Sequence, residues 1–395
     1  MKEKVYLSPP ALVCCAGLNR NELYESCLSG NRRGMVMTEL PGTNKQFPVG
    51  LIRANLPETE KEFPFANSRI YRLINAALEQ LAPAVEKALS KYGTQKIGVC
   101  FGSCDNGSEA SLAAHKAFLA SNAFPKNYSL TFQSGALPAE FIARKFNLCG
   151  PAFTIATACA SGASAIMRGA ELIQSGVCSA VIAGGADIVS PTVFSGFYAL
   201  EAISDTLCNP FSKNRKGINL GEGASFFLLD SEQNSPIELL GAGESSDAHH
   251  MTAPGTDGDG PARAMKAALL DAGLKNDHID YVNLHGTGTE LNDKAEALAM
   301  KAVFDKMPPA SSTKPVTGHT LGAAGALEAA ICWMAVTEKR GIPVHCWDGV
   351  IDEDSPGFES GVFSDGNSGA GAPSVCMSNS FAFGGCNVSL ILGER

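Results

Sequence analysis

The chain has 395 residues, too many for one small core and enough for two domain-sized halves within one body. With 45% hydrophobic and 18% charged residues and 41 glycines, it suits an α/β protein with many strand-to-helix turns, and a disordered chain is excluded. A net charge of −9 argues against a general nucleic-acid or anionic-membrane binder, which must neutralise phosphate with Lys and Arg.

The opening MKEKVYLSPPALVCC lacks a sustained apolar signal core, and no stretch reads as the 18 or so apolar residues needed to span a bilayer. A cytoplasmic protein is expected. Short β-branched runs then alternate with longer Ala-rich helical patterns, the signature of strands joined by crossover helices. In chain order the expected elements are a helix over 68–90, strands over 96–101 and 153–158, a helix over 160–174, and strands over 180–188 and 224–230. The polar stretch Asp230 to Pro236 breaks the apolar pattern before the strand IELLGAGESS restarts it, which divides the chain into halves 1–232 and 233–395. The second half continues with a helix over 261–272, a strand over 281–284, helices over 293–304 and 322–337, a loose Gly/Ser/Asp-rich segment over 349–373 and a strand over 387–392. Small residues open both ATACASGASAIM and TGHTLGAAGALEAA, so both helices fit close packing between sheets, and the two segments are a weak echo of each other. The apolar run GALEAAICWMAV carries Glu328 and reads as buried, not membrane-inserted.

The thirteen cysteines are scattered, with no CxxC pair and no Cys/His cluster at zinc spacing, so they read as reduced core residues and no metal site is expected. Cys159 stands apart. In TIATACASG it sits at a strand end immediately before a helix, whose free N–H groups and dipole favour negative charge; the position is expected to lower the thiol pKa and offer donors to an oxyanion. HGTGT follows the apolar strand YVNL and places His285 at a Gly/Thr-rich turn with hydroxyls from Thr287 and Thr289. KPVTGHTLGAAG places Lys314 five residues before His319 on another strand-to-helix turn. Two histidines in such settings can both act as neutral donors toward one oxygen, which suits stabilisation of a thioester enolate. NSFAFGGCN is a Gly-rich turn between two strand-like runs, and alone it reads as a hairpin with buried phenylalanines.

Taken together and in this order, TACASG, NPFSKNRKGINLGEGAS, HGTGTELND, KPVTGHTLGAAG and NSFAFGGCN resemble the β-ketoacyl-acyl carrier protein synthases of the thiolase superfamily, with SSDAHHMTAP also similar. The resemblance runs from about Ser68 onward and implies a five-layered αβαβα sandwich of two pseudo-equivalent halves, and decarboxylative condensation of an acyl group on Cys159 with malonyl-carrier protein. It implies that His285 and His319 hold the malonyl thioester oxygen, and that Lys314 organises charge around them with Glu296 as its ion-pair partner. It further implies that Thr287 and Thr289 bind the phosphopantetheine arm, and that the backbone N–H of the gate residue Phe383 joins that of Cys159 in an oxyanion hole. No cofactor of its own is implied, only the arm carried by the acyl carrier protein; the implied assembly is a homodimer or a heterodimer with a synthase-like subunit. Arg69, Arg72 and Lys126 flank the family's pocket entrance and are expected to dock the acidic carrier.

Two departures from the family pattern stand out: Ala382 replaces the usual Gly of the gate, and the stretch between Leu200 and Phe211 is shorter than in fatty-acid elongation enzymes. NPFSKNR and GINLGEGAS lean toward synthases of aryl polyene or related polyene pathways. Two alternatives stay open at this stage. One is a non-catalytic chain-length-factor-like partner subunit, which retention of Cys159 disfavours; the other is a coenzyme A thiolase, which Cys386 allows and the paired histidines disfavour.

Overall fold

The computed structural model of the chain describes residues 3–59, 68–105, 107–233, 235–358, 362–366 and 372–394. The first half supplies β1 (Tyr6–Leu7), β2 (Ala11–Cys14), α1 (Arg20–Ser29), the hairpin β3 (Met35–Glu39) and β4 (Gln46–Gly50), α2 (Arg69–Tyr92), β5 (Ile97–Gly102), α3 (Ser108–Ser121), α4 (Leu137–Lys145), β6 (Ala152–Ile155), α5 (Ser161–Gln174), β7 (Ala180–Asp187), α6 (Pro191–Ala199) and β8 (Gly223–Asp230). The second supplies β9 (Glu238–Ser246), α7 (Asp259–Ala272), β10 (Tyr281–Asn283), α8 (Glu290–Val303), β11 (Ala310–Ser311), the single turn α9 (Lys314–Thr317), α10 (Ala324–Glu338), β12 (Val375–Phe381) and β13 (Cys386–Gly393).

The two halves repeat one pairing scheme. In the first, β5 lies parallel between β6 and β7, β7 is antiparallel to β8, and β8 to β2. In the second, β10 lies parallel between β11 and β12, β12 is antiparallel to β13, and β13 to β9. The faint echo between two helix starts is therefore the trace of a duplicated fold. Hydrogen bonding also joins the two leaves, because Tyr6 of β1 pairs with both Asp230 and Glu238, giving one eleven-stranded sheet in which ten strands form a continuous path and β2 branches off at β8.

Helices form the other three layers. α2 and α4 cover the outer face of the first leaf through an apolar stripe that includes Leu73, Ile74, Ala77, Leu78 and Leu81. α7 and α8 cover the second leaf. α5 and α10 pack against each other between the leaves, in the largest apolar cluster. α10 is apolar on every side because every side is buried, which is the mark of a central helix. Two glycines permit the crossing: a Cβ on Gly162 would lie 2.8 Å from the Gly322 carbonyl oxygen, and one on Gly325 would lie 2.7 Å from the Ala163 Cβ.

Most expected elements occur within a few residues of their anticipated limits. The strand expected to run to Ala158 stops at Ile155, because Ala158 takes a left-handed φ of 49°. Residues 321–338 do form a segment long and apolar enough to cross a membrane, contrary to expectation, but it is the buried core helix. The loose segment 349–373 carries no helix and no strand longer than an isolated bridge among its described residues; 359–361 and 367–371 lie outside them.

Candidate active site

The duplicated fold brings two strand-to-helix turns face to face. After β6 the chain makes a 3-10 turn over Ala158–Ala160 and enters α5; after β11 and α9 it makes a 3-10 turn over Leu321–Ala323 and enters α10. Each turn begins on a non-glycine residue at positive φ, Ala158 at 49° and Leu321 at 54°, a conformation costing roughly 1–2 kcal/mol apiece. The first is braced by Ser161, whose Oγ donates to the Ala158 carbonyl at 2.6 Å and accepts from the Thr157 N–H at 3.0 Å. This elbow presents Cys159, 5% exposed, at the head of the central helix.

His319 Nε2 lies 3.0 Å from Cys159 Sγ. The His285 ring stands edge-on to it, with centroids 5.5 Å apart at 86°. Lys314, 1% exposed, points into the same space: its Nζ reaches the His285 carbonyl and the Glu328 carboxylate in short contacts, and lies 3.5 Å from His285 Nδ1. An ammonium can only donate, so His285 Nδ1 accepts and its proton resides on Nε2. Among the described residues His319 Nδ1 has no hydrogen-bond partner, so its tautomer is not pinned.

The structure thus unites Cys159, His285, His319 and Lys314, and it corrects the expected role of Glu296. The ion-pair partner of Lys314 is Glu328, projecting from α10. Glu296 instead clamps the turn carrying His285: its two oxygens accept the His285 and Gly286 N–H groups, each at 2.8 Å, and Asn379 Nδ2 donates to it at 3.3 Å. Both Glu296 oxygens are taken by these backbone amides, and Lys314 bonds the other side of His285, at its carbonyl. Glu328 was legible as a lone carboxylate in an apolar run, a pattern that demands a buried partner. Asp187 left a similar sign at the end of β7; it accepts from Ser103 Oγ at 2.7 Å, and from the N–H groups of Cys104, Asp105 and Gly322, tying the second helix head to the first leaf.

Electrostatics also departs from expectation at the thiol. Burial pushes Cys159 up to about 12, against the lowering pull of Lys314 and of the Phe383 N–H aimed at the sulfur. Desolvation outweighs the helix head, so the resting pair is a neutral thiol against a neutral imidazole. Burial and Lys314 hold both His285 and His319 well below the usual imidazole value. Burial likewise lifts Glu328 and Glu296 to about 7, with Lys314 pulling Glu328 back down.

Beside the gate residue lies a cavity of about 320 Å³ whose lining includes Phe383, Thr289, Thr252, Arg215 and Lys216. Thr287 Oγ1 lies 3.1 Å from Thr289 Oγ1, and the turn between them is fixed by Gly288 N–H donating to Asp293. The Phe383 ring stacks on Phe197 at 5.8 Å. Ala382 adopts φ −100° and ψ 157°, angles any residue takes, while the positive-φ positions of the gate fall on Gly384 and Gly385.

Of the cations expected to dock a carrier, Lys126 is exposed, but Arg69 is committed elsewhere. Its guanidinium binds the buried Glu222 carboxylate and the Ile52 carbonyl, and Arg72 reaches the Leu56 carbonyl. Arg69→Glu should therefore lower thermal stability through like charges at Glu222. A selective rise in KM for carrier substrates in a protein of unchanged melting temperature would contradict this.

Two mirrored leaves around a buried helix pair, with one helix head bearing a cysteine and the other approached by a histidine, define the thiolase-like class of α/β fold. The family model "Beta-ketoacyl synthase, N-terminal domain" matches residues 54–235, and "Beta-ketoacyl synthase, C-terminal domain" matches 237–345. The chain is 36% identical over 327 residues to 3-oxoacyl-[acyl-carrier-protein] synthase 2 of Vibrio cholerae, covering 77% of each chain, and 33% identical over 345 residues to that of Coxiella burnetii, covering 81% of each. Among solved structures, the ketosynthase ApeO in complex with its chain length factor ApeC from Xenorhabdus doucetiae matches with a TM-score of 0.91 and 38% identity, covering 100% of this chain and 98% of that one. The chain belongs to the beta-ketoacyl synthase family, and it is an acyltransferase of that family.

Proposed function

We propose that the chain joins an acyl group held on Cys159 to the two-carbon unit of malonyl-carrier protein, giving a β-ketoacyl-carrier protein. The observation that carries this reading is the 3.0 Å approach of His319 Nε2 to Cys159 Sγ, with a tautomer-fixed His285 beside it.

In the first half-reaction the sulfur attacks the acyl-carrier thioester and the carrier sulfur leaves. The Cys159 proton passes through His319 Nε2 to the departing carrier thiolate. The Cys159 and Phe383 N–H groups hold the developing oxyanion. The acylated sulfur then carries no proton, and His319, free to exchange tautomers, presents Nε2–H beside that of His285. Malonyl-carrier enters and its C–CO2 bond breaks; the electron pair becomes an enolate whose oxygen both N–H groups hold. The enolate carbon attacks the acyl-cysteine carbonyl, the C–S bond breaks with Cys159 leaving as the thiolate, and one proton taken up from solvent restores the thiol. Both imidazoles must be neutral, which burial and Lys314 secure.

The phosphopantetheine arm of the carrier enters past Thr287 and Thr289 through the cavity closed by Phe383, and the protein supplies no cofactor of its own. The halves 1–232 and 233–395 act as one unit, each contributing one helix head. The likeness to a ketosynthase in complex with its chain length factor supports a heterodimer and a polyene-type pathway over housekeeping fatty-acid synthesis. Sequence relatives named as carrier-protein synthases support cytoplasmic carrier-bound chemistry.

Mixing the enzyme with acyl- and malonyl-carrier should release CO2 and yield a carrier-bound β-ketoacyl group two carbons longer, read by mass spectrometry; hydrolysis alone would refute condensation. His285→Ala should spare self-acylation and lower malonyl decarboxylation by about 10²-fold or more. His319→Ala should lower both, because His319 touches the sulfur as well. Acylation that survives intact in His319→Ala would remove its proton-relay role. A lowered histidine pKa keeps the imidazole neutral as pH falls through about 6.5. The histidines should therefore add no acid limb to malonyl decarboxylation; the groups that protonate between pH 8 and pH 6 are the carboxyls of Glu328 and Glu296, both lifted to about 7, and an acid limb that stays in place in Glu328→Gln and in Glu296→Gln would contradict the neutral histidines.

A further inference from the structure

A third histidine lies behind the site. His345, 4% exposed, lies in the described stretch after α10, outside every motif singled out above. The Ser312 N–H can only donate, and it meets His345 Nδ1 at 3.0 Å; the Pro210 carbonyl can only accept, and it faces Nε2 at 3.1 Å. The ring therefore holds one tautomer, with its proton on Nε2. It stacks face to face on Phe363, centroids 3.9 Å apart at 8°, and meets Trp347 edge-on at 5.8 Å. Burial depresses it to about 3, so the ring stays neutral at working pH and its polarity pattern is constant.

The residue it grips is the one that positions the catalytic turns. Ser312 Oγ donates to the Gly286 carbonyl at 2.6 Å, beside His285, and accepts from the Lys314 N–H at 3.4 Å. Gly286 sits at φ 37°, and a Cβ there would lie 2.6 Å from the Ser312 Cβ, so the two turns are in direct contact. On its other side the Pro210 loop leads to Phe211, whose N–H donates to Asp293 at 2.7 Å; Asp293 also fixes Gly288 between the two threonines. One imidazole thus joins the turn carrying Lys314 to the Pro210 loop, and through Ser312 and Asp293 these brace the 285–289 turn, which carries His285 and both threonines.

We propose that His345 is a positioning residue for malonyl decarboxylation, setting the placement of Lys314 and His285 through Ser312. This rests on the functional reading above. Lys314 Nζ must stay within reach of His285 Nδ1 to hold the Nε2–H tautomer, and a displacement of an ångström in such a contact costs on the order of 10²-fold in rate. Cys159, on the opposite helix head, makes none of these contacts.

The test compares His345→Phe, which keeps the stack and loses both hydrogen bonds, with His345→Gln, which offers an acceptor and a donor, and with Ser312→Ala. His345→Phe and Ser312→Ala should each lower kcat for CO2 release by about 10-fold or more with KM unchanged, while acylation of Cys159 stays within about twofold. His345→Gln should recover most of the loss. In 15N-histidine spectra, assigned with His285→Ala, the His285 signal should change from a single Nε2–H tautomer to a mixture in both impaired variants. This readout holds even if the wild-type enzyme releases no CO2, a result that would sink the functional reading alone. Unchanged CO2 release and an unchanged His285 spectrum in Ser312→Ala would overturn the proposal, as would a His345→Gln no better than His345→Phe, or equal loss of both half-reactions.

Discussion

Cys159→Ala should abolish self-acylation and lower condensation by on the order of 10⁴-fold or more while leaving the fold in place. The sulfur is the single group that can form the covalent intermediate, and among the described residues no second thiol lies within hydrogen-bond reach of His319. Structure around it does not depend on that sulfur. The elbow is held by Ser161 and the backbone, and Cys159 supplies one small side chain to a cluster of over forty residues, so the stability change should stay within about 1.5 kcal/mol. Malonyl decarboxylation, performed by groups on the other half, should persist. Intact-mass analysis after incubation with acyl-carrier decides the matter: an acyl adduct on the alanine variant would place the nucleophile elsewhere. Loss of folding would instead show that the elbow needs the thiol.

Glu328→Ala should be the most destabilising single change in the site. It would leave the Lys314 ammonium 1% exposed without its counter-charge, and breaking one side of a buried ion pair costs about 3–5 kcal/mol. Replacing both partners with apolar residues of similar volume, Lys314→Met with Glu328→Leu, should recover most of that stability, because both desolvation penalties disappear together. It should not recover catalysis. Without Lys314 the His285 Nδ1 loses its donor, its proton can sit on either nitrogen, and the enolate loses a fixed N–H. The expected outcome is a double variant that melts near the wild type yet decarboxylates malonyl at least about 10²-fold more slowly. A double variant as unstable as Glu328→Ala would mean the pair is not the source of the penalty, and one that decarboxylates normally would remove Lys314 from the chemistry.

The contrast between Glu296 and Glu328 shows where sequence reasoning stopped. Both carboxylates lie on helices of the second half, and the family resemblance implied Glu296 as the partner of Lys314. The tertiary structure assigned Glu296 to two backbone amides and gave Lys314 a carboxylate from the central helix instead. Arg69 followed the same logic: its charge was visible, but whether it faces a carrier or a buried Glu222 depends on how α2 docks against β8. The thiol was misjudged for a related reason. A helix head acts locally and is legible in the motif, whereas desolvation depends on everything packed around the sulfur. His345 left no signal at all, since its role depends on hydrogen-bond partners more than thirty residues away.

What the sequence determined by itself were the features encoded in contiguous residues. The alternation of strands and small-residue helices, the placing of Cys159 before a helix and the turns carrying His285 and His319 all follow from local pattern and backbone preference. What only the tertiary structure decided was which groups meet: the two leaves joined through Tyr6, the approach of His319 to Cys159 across 160 residues, and the pairing of Lys314 with Glu328. The physical reason is that hydrogen bonds and ion pairs are short-ranged and directional. Their partners are fixed by the packing of helices between sheets, and spacing along the chain does not record that packing.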